Sequence, residues 1–152
     1  MADENRVLLV EEGILDILFE VFSRYSSSAS LMNQTCIVTA NVASFNCISF
    51  FFVCFGGFVS VLTGSLAKNS DLMSSRGFLP FLVGVLVEHI EASYVMQNAG
   101  LAVWNMIYIG PQALEVARKL DVITPMQRVL FVHSSDFNTK YWAQAVVTKL
   151  GS

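Results

Sequence analysis

The stretch Gly77-Phe-Leu-Pro-Phe-Leu-Val-Gly-Val-Leu86 decides the fold. A glycine opens it, and Phe78, Leu79, Leu82 and Leu86 follow at intervals of one, three and four residues. That spacing gathers the apolar side chains on one face of an α-helix. Pro80 falls in the first turn, where the N–H it lacks has no intrahelical partner anyway. Two other stretches repeat the design. Gly13-Ile-Leu-Asp-Ile-Leu-Phe-Glu-Val-Phe22 carries Ile14, Leu15, Leu18 and Phe22. Asp121-Val-Ile-Thr-Pro-Met-Gln-Arg-Val-Leu130 carries Val122, Ile123, Met126 and Leu130, with Pro125 likewise in the first turn. A polar break follows each: Ser26-Ser27-Ser28, Glu88-His89-Ile90-Glu91 and Ser134-Ser135-Asp136. Beyond the breaks the pattern predicts longer, more buried helices over residues 31–44, 92–109 and 138–150. Residues 5–12, 68–76 and 111–120 predict a short helix ahead of each unit. The last is the clearest, with Gly110-Pro111 at its start and Arg118-Lys119 at the negative end of its dipole.

Spacing turns the likeness into a repeat. Gly77 and Asp121 are 44 residues apart, and Asn105 and Val146 are 41 apart, both close to the roughly 40–47-residue period of stacked helical repeats. Gly13 and Gly77, however, are 64 apart, and so are Asn41 and Asn105. Both landmarks overshoot the period by the same amount, which locates an insertion between Asn41 and Gly77. The same interval is anomalous in composition. No charged residue occurs between Arg24 and Lys68, and the run from Cys47 to Thr63 (CISFFFVCFGGFVSVLT) is almost wholly apolar apart from Gly56-Gly57. The expected organisation is one domain of three repeats, at about residues 5–45, 66–109 and 110–150, with a hydrophobic insert at about 46–65. The insert has three readings: an extra helix pair folded on the stack, a membrane span at the short end of the usual length, or a translated intron. Joining Asn46 directly to Ser65 restores the period.

Composition excludes several classes of function. The chain is 54% hydrophobic and 14% charged, against about a quarter charged in ordinary soluble chains. A net charge of −3, with Lys and Arg scattered singly, offers no field for DNA or RNA. Cys36, Cys47 and Cys54 are odd in number and lack the paired spacing of a zinc or redox site. They read as small buried hydrophobes in a reducing compartment. The charged N-terminus has no basic, then apolar, secretory pattern, so a cytoplasmic setting is expected, with the nucleus as alternative. His89 and His133 stand at predicted helix ends as capping or solvated groups. His133-Ser134-Ser135-Asp136 contains triad residue types, but side by side at a turn, where Ser and Asp cap the next helix. No catalytic residue, metal site or cofactor is expected. Glu11, Glu12, Asp16 and Glu20 read as a solvated face favouring the helix dipole. Trp104, Tyr108 and Trp142 read either as inter-repeat packing or as partner anchors.

The opening Arg76-Gly-Phe-Leu-Pro-Phe-Leu-Val-Gly-Val-Leu86 resembles the armadillo-repeat family, of the beta-catenin and importin-alpha kind, whose second helix begins glycine-Leu-Pro-Leu-Leu. Asn98-Ala-Gly-Leu-Ala-Val-Trp-Asn-Met-Ile107 is similar to the family's third helix, which ends in an Asn-Leu pair; here the pairs are Asn105-Met106 and Asn41-Val42. The resemblance covers residues 5–45 and 66–150. It implies an all-α fold, a right-handed α-α superhelix whose third helices line a concave groove. It also implies that Asn side chains bond an extended peptide's backbone there while a Trp one turn earlier packs against it. Carried onto this chain, those roles fall to Asn41 and Asn105, with Leu101 at the family's Trp position and Trp104 three residues on. In the third repeat Trp142 keeps the Trp place and Val146 replaces Asn. The implied function is non-catalytic binding of a partner protein or peptide. Leu8-Leu9-Val10 and Ala145-Val146-Val147 predict further stacking or self-association at the two ends. The alternative is a membrane-anchored protein spanning through Cys47–Thr63.

Overall fold

A computed structural model describes residues 2–43 and 68–152, and among these the regular structure is entirely α-helical. The insert expected at 46–65, the span through Cys47–Thr63, and Cys47, Cys54 and Gly56-Gly57 lie outside the described residues. The helices are α1 (Ala2–Glu11), α2 (Ile14–Tyr25) and α3 (Ala29–Ala43); α4 (Lys68–Ser75); and α5 (Phe78–Glu88), α6 (Ser93–Ile109), α7 (Pro111–Lys119), α8 (Ile123–Val132) and α9 (Phe137–Gly151). Among the described residues no single helix is long and apolar enough to cross a membrane. The pair α4 and α5 has the composition but is bent by 72°, and α5 buries Phe78, Leu79, Leu82, Val85 and Leu86 inside the protein.

Three turns share one backbone device. Between α1 and α2, α4 and α5, and α7 and α8, the chain passes through a left-handed residue: Gly13 (φ 88°), Gly77 (φ 85°) and Asp121 (φ 51°). Among the described residues these are the only positive φ angles. Glycine has no Cβ to clash in that conformation, and Asp is one of the few other residues that visits it readily. Asp121 Oδ2 also accepts the Thr124 hydroxyl at 2.7 Å, which closes the first turn of α8.

Packing follows the order short helix, helix, long helix. The long helices α3, α6 and α9 lie side by side, with α6 between the other two. Helix α5 in turn contacts α2 on one side and α8 on the other. Phe22 and Phe81 stack at 5.7 Å, and Phe19 meets Phe81 edge-on at 4.8 Å, so the α2–α5 seam is aromatic. Small residues allow the long helices to approach. A Cβ on Gly100 of α6 would stand 3.2 Å from Trp142 Cβ on α9.

Polar groups tie the same junctions. His89, at the end of α5, donates from Nε2 to the Ser26 carbonyl at 2.5 Å. His133, at the end of α8, donates to the Ile90 carbonyl at 2.6 Å. The two ties have the same form, and the first spans more chain than the second by as much as the landmark intervals differ. His133 is buried, so it is a structural anchor and not a solvated side chain. Asn98 Nδ2 donates to Asn33 Oδ1 (2.8 Å) and Asn105 Nδ2 to the Ala40 carbonyl (2.9 Å), both from α6 to α3. From α9, Thr139 Oγ1 donates to the Ser93 carbonyl at 3.1 Å. The orphan N–H groups at the start of α7 are met from the preceding unit: Asp71 Oδ1 accepts from Gln112 N and Ala113 N, each at 3.1 Å. Gly110 makes room for this contact, because a Cβ there would lie 2.7 Å from Met106 O and 2.9 Å from Asp71 Oδ1. Arg76 pairs with Asp16 at 2.6 Å, but both are exposed and the pair adds little.

Two glycine substitutions are expected to act in opposite directions. Neither Gly77 nor Gly84 has an atom within 4 Å of where a Cβ would stand, so backbone conformation alone decides. Gly77→Ala forces a left-handed alanine and is expected to cost about 1–2 kcal/mol. Gly84→Ala, inside α5, is expected to add up to about 1 kcal/mol. Urea midpoints measured on both variants check this. Equal shifts, or a tolerated Gly77→Ala, would contradict the turn geometry.

Candidate functional site

Helix α6 buries Val95, Met96, Ala99, Gly100, Ala102, Val103, Met106 and Ile107. At a period of 3.6 residues the remaining side chains form one outward stripe. It runs through Tyr94, Asn98, Leu101, Trp104, Asn105 and Tyr108, all exposed or half-buried. Helix α9 buries Thr139, Ala143, Val146 and Leu150, which turns Phe137, Lys140, Tyr141, Gln144 and Thr148 outward. A groove of about 620 Å³ runs along the outward face of α9, lined by Phe137, Lys140, Tyr141, Ala145 and Lys149, and Trp104 is the residue α6 contributes to it.

The groove is aromatic and edged by lysine. Trp104 and Tyr108 lie 5.0 Å apart, Phe137 stacks on Tyr141 at 6.4 Å, and Tyr141 meets Trp142 edge-on at 4.9 Å. Phe137 is 78% exposed and Tyr141 56%. Lys149 Nζ sits 5.7 Å from the Tyr108 ring centre, where the ring's negative face holds the ammonium in place.

The residues singled out in the sequence are distributed unevenly over this surface. Trp104 forms a groove wall. Asn105 is half-buried and gives its amide to Ala40 O, joining α6 to α3. Asn41 is exposed near the end of α3. Leu101 packs against the core, and Trp142 lies against Gly100 behind Tyr141. Sequence reasoning passes over Phe137, Lys140, Tyr141 and Lys149, although the first three fall at the i, i+3, i+4 spacing of one helix face and so contain the signal. At the two outer elements, Leu8 and Leu9 are exposed, whereas Val146 is fully buried and Ala145 lines the groove. Val146 thus packs inward instead of offering an end face for further stacking.

Among the described residues no three His, Cys, Asp or Glu side chains are grouped to hold a metal ion. Asp136 caps α9 by accepting from Thr139 N at 3.1 Å, and that bond holds its carboxyl below the usual carboxylate range. Cys36 is buried in the core, and loss of water pushes its thiol up to about 12. The nucleophilic thiolate is therefore absent at neutral pH.

In a variant with Cys47 and Cys54 changed to serine, Cys36 is expected to resist a thiol reagent until the chain unfolds. The unfolded thiol titrates near 8.5 and the folded one near 12, so above about pH 8.5 only the unfolded state loses its proton. Stability is then expected to fall as pH rises through that window. Rapid labelling of the native variant at pH 7 would contradict this burial. Compared with family models, curated proteins and solved structures, the chain matches none of them.

Proposed function

We propose that this chain is a non-catalytic protein-interaction module of armadillo type, acting in the cytoplasm or nucleus. In this reading its three units stack into a right-handed superhelix, and the groove between α6 and α9 receives an extended peptide or partner segment. The repeated tie between a helix-terminal histidine and a carbonyl of the preceding unit supports the stacking. One observation carries the binding role. Trp104, Phe137 and Tyr141 line an open groove on helices whose opposite sides are already filled. Exposed aromatic clusters of that kind are typical anchors for a partner and costly to leave in water.

Peptides selected from a random display library on the immobilised chain test the reading. Binders with Kd in the micromolar range, about −8 kcal/mol, are expected. Trp104→Ala is expected to weaken them by at least about tenfold. Phe131→Ala is expected to change nothing, because Phe131 is 84% exposed and does not line the groove. An empty selection, or equal losses from both substitutions, would count against a binding groove.

A further inference from the structure

We infer that the α6–α9 groove selects an acidic peptide, one in which two Asp or Glu residues bracket apolar side chains. This rests on the reading of the groove as a peptide site and specifies its occupant. Among the described residues, the only charged side chains lining it are Lys140 and Lys149, in a chain whose net charge is −3. The local sign is thus opposite to that of the whole protein. Asp136, next to Phe137 in sequence, is engaged with Thr139 N at 3.1 Å, and Asp121, at the α7–α8 turn, with the Thr124 hydroxyl at 2.7 Å. They do not neutralise the lysines by direct pairing.

Geometry sets the spacing of the ligand. The helical rise from Lys140 to Lys149 is about 13 Å. At 100° per residue they leave α9 on opposite flanks of its outward face. An extended chain advances about 3.3 Å per residue, so carboxylates about four to six positions apart reach both ammonium groups. The apolar side chains between them then meet Trp104 and Tyr141, and a residue just beyond the Lys140 end meets Phe137. Lys149 is already held over Tyr108, so less conformational freedom is lost when it pairs.

The test uses peptides that bind the whole chain and lose affinity in Trp104→Ala. Such peptides are expected to carry acids at that spacing, and to bind at least about tenfold more weakly to a Lys140→Glu/Lys149→Glu variant. Raising NaCl from about 50 to about 500 mM is expected to weaken binding to the unaltered chain. Glu→Gln changes in the peptide keep the result independent of any folding defect. They are expected to cause a similar loss on the unaltered chain and little further loss on the lysine variant. Trp104-dependent peptides that are neutral or basic, or that ignore the lysine changes, would overturn the acidic specificity and leave the peptide-binding role standing. Absence of any Trp104-dependent peptide would overturn both. Sedimentation showing self-association that the lysine changes abolish would make a second copy the occupant and overturn the proposal.

Discussion

Helix α6 has to be buried on two sides at once. From Ser93 to Ile109 it contains no charged residue, and α3 and α9 cover it from either side. Each large apolar side chain removed from water contributes about 1.5–3 kcal/mol, but only where neighbouring helices come close enough to exclude solvent. The sequence meets that need with small residues at the contact. Gly100 faces Trp142, while Ala99, Ala102, Ala40 and Ala143 are all nearly inaccessible. Both flanks contribute to the burial of α6.

Polar contacts then set the register of this packing. An apolar seam tolerates sliding, whereas a buried carbonyl left without its donor does not. Asn98 and Asn105 fix α6 against α3, Thr139 fixes α9 against Ser93, and the two histidines fix the outer turns. The extra length of chain between the first and second units leaves the ties across that junction in place.

The helices and their special turns were legible because both are local. Periodicity located α2, α5 and α8, and the residues taken as landmarks, Gly13, Gly77 and Asp121, are those with left-handed backbone. Ties that reach across a whole unit were not legible: nothing near His133 or Asp71 in sequence indicates Ile90 or the start of α7. The groove was half legible. Trp104 stands out as a tryptophan on a predicted helix, whereas Phe137 and Tyr141 share one helix face with Lys140 but carry no motif that says whether that face is buried. In α9 the inward positions go to Thr139, Ala143, Val146 and Leu150, because the close approach of α6 leaves room for smaller groups there. Asn105, expected to face a ligand, spends its amide on Ala40.

Whether the three long helices form a row or a bundle is the point on which everything else turns. Pulsed electron paramagnetic resonance measures it, with spin labels at Gln34, Tyr94 and Gln144 on α3, α6 and α9 in a background lacking the native cysteines. Packed helices lie about 8–10 Å apart axis to axis. A row places α3 and α9 about twice as far apart as α3 and α6. Equal separations for the two pairs would contradict it.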